Sequence, residues 1–166
     1  LWVAFSFAGV LALNRTFMPE KENSCLEGIL ACPVSREVIY LGKMLSSFIF
    51  MLLVEAVTLP VFALLFNLPI LSPPIIVVTV LATLGFAAVG TLFSALAVNT
   101  RAREMILPIL FLPVIVPVII SAVKASTEAL SGASWGDMMS WIQIIVAFDA
   151  VFLSVSYMIF SYIVEE

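Results

Sequence analysis

RTFMPEKENSCLEGILACPVSREVIYLGK, residues 15–43, is the one long polar stretch in a chain that is otherwise strongly apolar. It holds eight of the eighteen charged residues, including four of the seven lysines and arginines. Apolar runs flank it on both sides, so we expect it to connect two segments that lie in a membrane.

Within this stretch the sequence predicts a short amphipathic helix that Pro19 begins and Pro33 ends. Proline suits the first helical turn, where no backbone donor is needed, and Glu20 and Glu22 favour the positive end of the helix dipole. Pro33 disfavours helical geometry at the residue before it, and Ser35 suits the cap of the next helix. The apolar side chains within one arc of this helix are Cys25, Leu26, Ile29, Leu30 and Cys32, whereas Asn23, Ser24, Glu27 and Ala31 lie mostly outside it.

An amphipathic helix of this kind between two spans has two interpretations. It can rest in the lipid headgroups as a surface segment. Alternatively, it can offer an apolar ridge with an acidic rim to a soluble partner. Periodicity alone does not choose between them.

Three motifs together resemble a known family. EKENSCLEGILACPVSREVIYLGK (residues 20–43) resembles the coupling-helix segment of type 2 ABC-exporter permeases, and most closely that of the CcmB family, heme exporter protein B. FMLLVEAVTLPVFALLFN (residues 50–67) and RAREMILPILFLPVIVPVIISAV (residues 101–123) extend the resemblance. It implies that an ATPase subunit contacts the coupling helix through Glu20, Lys21, Glu22, Asn23, Leu26, Glu27, Ile29, Leu30 and Pro33.

The same resemblance implies the function and the partners. A CcmB-like chain would be the permease subunit of an ABC transporter for cytochrome c maturation, in a bacterial inner membrane or its organellar equivalent. ATP would bind to a separate ATPase subunit, and a companion membrane subunit would handle heme, which is either cargo or part of a heme-loaded chaperone that is released. A homodimer or paired permeases are expected. We predict no cofactor in this chain, which lacks a Walker A motif.

Composition supports an integral membrane protein. The hydrophobic fraction is 63% and the mean hydropathy +1.23, against about 45–50% apolar residues in soluble domains. The chain has no histidine and two cysteines, so we expect neither a His-ligated metal site nor a Cys-His nucleophile, and no catalysis by this chain. Its net charge of −4 argues against nucleic acid as a partner.

The predicted fold is an all-α, polytopic bundle of membrane helices in a single domain, residues 1–166. Its predicted spans are a partial one at about 1–14 and complete ones at 44–66, 75–98, 105–123 and 139–163. Because the chain opens with leucine inside an apolar run, we expect its true N-terminus to lie upstream.

Two features of the later spans lead to further expectations. Three prolines in residues 105–123 predict kinks or a broken helix. Residues 124–138 are more polar and predict a break with a brief helix, which Ser126 or Thr127 would cap. Gly132 and Gly136 would end it.

Lysine and arginine positions predict the orientation. Residues 15–43 and the 99–104 turn carry six of these residues on one side, and the other side has only Lys124. By the positive-inside rule the amphipathic helix and the C-terminus face the cytoplasm.

Two carboxyl groups fall near the middle of predicted spans. Glu55 is the twelfth of 23 residues in its span and Asp149 the eleventh of 25. A charged group there costs at least about 2.5–3.5 kcal/mol, so each either contacts a translocation path or ties helices together by hydrogen bonds. If the two faced one another, they would share a proton.

Three other functions remain compatible with the sequence. A permease of the same architecture could carry a drug, a lipid or a polysaccharide. A membrane scaffold could assemble a complex without moving any substrate. An intramembrane enzyme would require reactive residues in pairs, for which Glu55 and Asp149 are the candidates.

Overall fold

The computed structural model describes residues 2–14, 36–67, 72–97 and 103–163. They form five helices: α1 Trp2–Asn14, α2 Arg36–Phe66, α3 Pro73–Ala97, α4 Arg103–Leu130 and α5 Trp135–Ile163. The architecture is therefore all-α, as the sequence predicts. The predicted helix that begins at Pro19, with the nine residues assigned to ATPase contact, lies outside the described residues.

Four of these helices contain segments that are long and apolar enough to cross a membrane. Those segments are Val38–Phe66, Pro73–Ala97, Pro108–Leu130 and Trp135–Ile159. Many of their large apolar side chains face outward, for example Leu64 and Val57 at 83% and 68% exposed. A soluble monomer does not expose so much apolar surface, so the chain is a multi-pass membrane protein.

Helix α3 lies at the centre of the bundle and contacts each of the other four helices. In the most apolar 18-residue segment of α3, 72% of the residues are buried. In the corresponding segments of the other three candidate spans, 17% to 33% are buried. Its buried positions are rich in small residues, among them Ala82, Gly85, Ala87, Ala88, Gly90 and Ala95. Small side chains let neighbouring backbones approach closely, which explains why this helix is the one surrounded.

The helices run up and down, so their connections alternate between two ends. Ala129 near the end of α4 packs against Leu59 of α2 and Ile75 of α3. The end of α2 and the start of α3 therefore lie at the same end of the bundle as the α4–α5 turn. The end of α1, the start of α2, the end of α3 and the start of α4 lie at the other end, which is the relative arrangement that the Lys/Arg positions predict.

Helix α4 continues without a break through Pro108, Pro113 and Pro117, so of the two predicted alternatives, kinks or a broken helix, the broken helix is absent. The helix also extends to Leu130, beyond the predicted end of this span at residue 123. Residues 124–130 are therefore not part of the predicted polar break. Ser126 and Thr127 lie inside α4, so neither caps a separate helix. The Ser126 hydroxyl instead accepts a hydrogen bond from Trp2 Nε1 at 3.1 Å, and the Thr127 hydroxyl donates to the carbonyl of Val123.

A four-residue turn separates α4 from α5. Gly132 has φ +75°, and the Ala133 N–H bonds the carbonyl of Glu128 at 3.0 Å, which is the Schellman pattern of a helix end. Ser134 then caps α5, and the Asp137 carboxylate accepts from its backbone N–H at 3.1 Å. The prediction that Gly136 ends a helix is wrong, because this residue lies in the first turn of α5.

Candidate functional site

Glu55 lies in the middle of α2 and turns inward onto α3. It is only 2% exposed, and its Oε1 lies 2.5 Å from the hydroxyl of Thr83. The same hydroxyl lies 2.8 Å from the backbone carbonyl of Thr79, one turn earlier on α3. Glu55 therefore ties α2 to the central helix.

The Thr83 hydroxyl has one hydrogen but two acceptor neighbours. It can donate to the carbonyl of Thr79 or to Glu55, not fully to both. If Glu55 is a carboxylic acid, its own O–H donates to Thr83 and the Thr83 hydrogen goes to Thr79, so both contacts are satisfied. The neutral form of Glu55 is thus the form that completes this hydrogen-bond chain.

Asp149 lies in the middle of α5 and approaches α3 from a different side. It is 4% exposed, and neither of its carboxyl oxygens has a hydrogen-bond partner among the described residues. A Cβ atom at Gly85 would lie 2.5 Å from Oδ1 of Asp149, and the Val118 side chain of α4 lies beside the same position. Gly85 therefore makes the space that the Asp149 carboxyl group occupies.

Glu55 and Asp149 do not face one another. Their neighbours on α3, Thr83 and Gly85, are two residues apart, which is about 200° around a helix and about 3 Å along its axis. The two carboxyl groups therefore lie at similar depth on opposite sides of α3. The arrangement in which they would share a proton is absent, because the central helix stands between them.

A cavity of about 320 Å³ lies beside Glu55, between α2 and α3. Its polar side consists of Glu55 and Thr79. Glu55 Oε2 and Thr79 Oγ1 are both buried and have no hydrogen-bond partner within the part of the chain that the structure describes. The rest of the wall is apolar and is formed by Leu52, Ala56, Leu59, Pro60, Ile76 and Val80.

The sequence found the two carboxyl groups but not their surroundings. Thr79 and Thr83 carry no charge and follow no motif, and their roles depend on packing between segments far apart in the chain. Gly85 is predictable from the sequence as a possible close-packing position in an apolar span, but its contact with Asp149 is not. In residues 2–14, 36–67, 72–97 and 103–163, no cluster of His, Cys, Asp or Glu could hold a metal ion.

Comparison with known proteins gives the family. The family model described as CcmB protein matches residues 1–165. The chain belongs to the CcmB protein family. This confirms the resemblance carried by residues 20–43, 50–67 and 101–123.

Curated relatives in this family carry the name heme exporter protein B. The one from Pseudomonas aeruginosa is 27% identical over 148 residues, which cover 89% of this chain and 66% of the relative. The one from Bradyrhizobium diazoefficiens is 31% identical over 133 residues, covering 80% of this chain and 60% of the relative. The chain thus spans less than two thirds of the length of these relatives. No solved structure matches it.

Proposed function

We propose that this chain is the permease subunit of an ABC transporter that serves cytochrome c maturation, and that it is a transport subunit rather than an enzyme. The observation that carries the proposal is the match of the CcmB family model across residues 1–165. Its relatives are named for heme export, and four of its helices are long and apolar enough to span a membrane. Heme, or a chaperone loaded with heme, is the proposed cargo.

The proposed energy source is ATP hydrolysis on a separate subunit. That subunit would press on the amphipathic helix predicted from Pro19 to Pro33, through its apolar arc. The helix is joined to α1, which ends at Asn14, and to α2, which begins at Arg36. Both of these helices pack on α3. A displacement of the amphipathic helix would therefore tilt α1 and α2 as rigid bodies against the centre of the bundle.

The proposed setting is the bacterial inner membrane, or its organellar equivalent, with the amphipathic helix on the cytoplasmic side. The charge asymmetry of the sequence supports this orientation. A companion heme-handling subunit and a second permease copy would complete the complex.

The test is a charge placed on the apolar arc of the predicted helix. Leu26→Glu and Ile29→Glu would abolish ATP-dependent cytochrome c maturation in cells that lack the native gene, because a carboxylate in the apolar docking groove would loosen the coupling contact while the remaining contacts between the subunits keep the complex assembled. Ser24→Glu, on the other side of the same helix, is the matched control and should retain activity. Amounts of each variant in the membrane are measured by immunoblot.

Two results would contradict the proposal. A scaffold would lose complex assembly together with activity in Leu26→Glu, as judged by co-purification of the ATPase after crosslinking. A segment that only rests on lipid would tolerate Leu26→Glu and Ser24→Glu equally. Failure of cytochrome c maturation with an intact, assembled complex is the expected outcome.

A further inference from the structure

The cavity between α2 and α3 is lined by two polar residues, Glu55 and Thr79, each with a side-chain oxygen that no described residue pairs. Glu55 is 2% exposed and Thr79 is 4% exposed, yet Oε2 of the first and Oγ1 of the second lack hydrogen-bond partners among the described residues. Buried polar groups are normally paired, because leaving one unpaired costs its full desolvation energy. At mid-membrane depth bulk water is not at hand to pair them.

The cavity is open toward the outside of the bundle. Ile76 and Val80, on its α3 wall, are 43% and 38% exposed, and Ala56 on its α2 wall is exposed as well. These residues lie within the candidate spans, where the bundle surface meets hydrocarbon. The entrance is therefore lateral, from the membrane interior.

We propose that this cavity binds a small lipid-soluble molecule that carries a hydroxyl or amino group. The polar group would bond Glu55 Oε2 and Thr79 Oγ1, and the apolar body would contact the six apolar wall residues. A hydroxyl such as that of Thr79 both donates and accepts, so it pairs with either kind of group. The volume of about 320 Å³ falls at the lower end of small-molecule sites.

Two other places in the bundle lack this combination. A groove of about 340 Å³ between α1 and α2 is apolar apart from Thr58, whose hydroxyl already donates to the carbonyl of Val54. Asp149 has unpaired oxygens, but it is packed against Gly85 and does not line the cavity. Of these three places, the α2–α3 cavity is the one whose lining joins residues with unpaired polar atoms to apolar side chains.

The test uses a lipid-soluble reagent for carboxylic acids, dicyclohexylcarbodiimide. The reagent adds to a protonated carboxyl group and rearranges to an N-acylurea that retains the whole reagent, with no leaving group. The purified chain in phosphatidylcholine vesicles, without nucleotide or partner, is treated and then digested for mass spectrometry. We expect modification of Glu55 and none of Asp149, the matched carboxyl group at similar depth, and loss of modification in Glu55→Gln.

Ligand chemistry is tested by competition. Decanol and decylamine should slow the modification of Glu55, whereas decane, with the same chain but no polar group, should not. Thr79→Val keeps the shape of the side chain and removes its hydroxyl, so decanol should protect roughly five- to tenfold less effectively. Ala56→Phe should fill the entrance and suppress modification, whereas Val57→Phe, a neighbour outside the cavity, should leave it unchanged.

Three results would overturn the proposal. Equal modification of Glu55 and Asp149 would show that lateral access does not distinguish them. No modification of Glu55 would show that the cavity is closed to the membrane or that the carboxyl group is ionised. Protection by decane equal to that by decanol would show an apolar groove without polar anchors. None of these results depends on the transport proposal, since no ATPase or cargo is present.

Discussion

At the scale of single residues, two carboxyl groups of similar depth are accommodated in different ways. Glu55 is held by the hydroxyl of Thr83 on the facing helix. The Asp149 carboxyl group fits against α3 because Gly85 lacks the Cβ atom that would collide with it. The first arrangement depends on a hydrogen bond and the second on an absent methyl group, so the two sites respond to different substitutions.

Gly85→Ala should destabilise the protein by about 1–3 kcal/mol, the usual cost of overpacking a core. The added methyl group would lie 2.5 Å from Oδ1 of Asp149. The cost should be smaller in an Asp149→Ala background, where the obstructing carboxyl group is gone. Unfolding by sodium dodecyl sulfate in mixed micelles measures both free energies.

The matched control for this substitution is Gly42→Ala. Nothing lies within 4 Å of a Cβ atom at Gly42, and the residue is inside α2. Alanine there should leave stability unchanged or raise it by about 0.5–1 kcal/mol, since glycine is the poorer helix former. An equal cost for Gly85→Ala with and without Asp149 would refute the steric explanation.

Sequence reasoning located Glu55 and Asp149 because a charge-bearing side chain stands out in an apolar run. It could not place them relative to each other, since helix rotation within a bundle is decided by packing. Small buried residues on α3, namely Ala82, Ala87 and Ala88, let the neighbouring helices approach closely. Helix α3 is therefore surrounded, and it lies between the two carboxyl groups.

At the scale of elements, the turn between α4 and α5 depends on one backbone conformation. Gly132 adopts φ +75°, and its N–H bonds the carbonyl of Ala129 at 3.3 Å. Glycine reaches this left-handed region without steric cost, whereas other L-residues do not.

Gly132→Ala should therefore destabilise the α4–α5 pair by about 1–2 kcal/mol. Gly136→Ala is the control, because a Cβ atom there would lie 3.6 Å from Oγ of Ser134, an ordinary contact within the first turn of α5. It should be neutral or slightly stabilising. The two variants are compared by thermal unfolding in detergent, and similar losses in both would contradict the assignment.

Helix extents were predictable in their apolar parts and not at their polar ends. The prediction ended the fourth span at residue 123, because the residues after it are polar. In the fold these side chains find partners on other helices: Trp2 donates to Ser126, and Trp141 Nε1 donates to Glu128 at 3.0 Å. The Trp2–Ser126 contact joins residues 124 positions apart, and no local pattern reveals such a pairing.

At the scale of the whole molecule, the described helix ends are divided between the two ends of the bundle. The packing of Ala129 against Leu59 and Ile75 places the end of α2 and the start of α3 beside the α4–α5 turn. Which end faces the cytoplasm is a prediction from the Lys/Arg positions.

Cysteine labelling tests both statements. In a Cys25→Ser, Cys32→Ser background, Asn67→Cys and Ser131→Cys should react with a membrane-impermeant maleimide in intact spheroplasts. Thr100→Cys should react only after permeabilisation. The reverse pattern would invert the orientation and leave the fold intact, whereas opposite behaviour of Asn67→Cys and Ser131→Cys would contradict the fold.

The positions of the tryptophans have an optical consequence. The sequence contains three, and they lie at one end of the bundle: Trp2 and Trp141 bond to α4 near its last turns, and Trp135 begins α5. The tryptophan fluorescence of this chain therefore arises from that end alone, and the opposite end, where α2 begins near Tyr40, contributes only the weaker emission of tyrosine. With a partner ATPase that lacks tryptophan, a change in this fluorescence on adding nucleotide would, in the proposed orientation, report a movement transmitted across the bilayer.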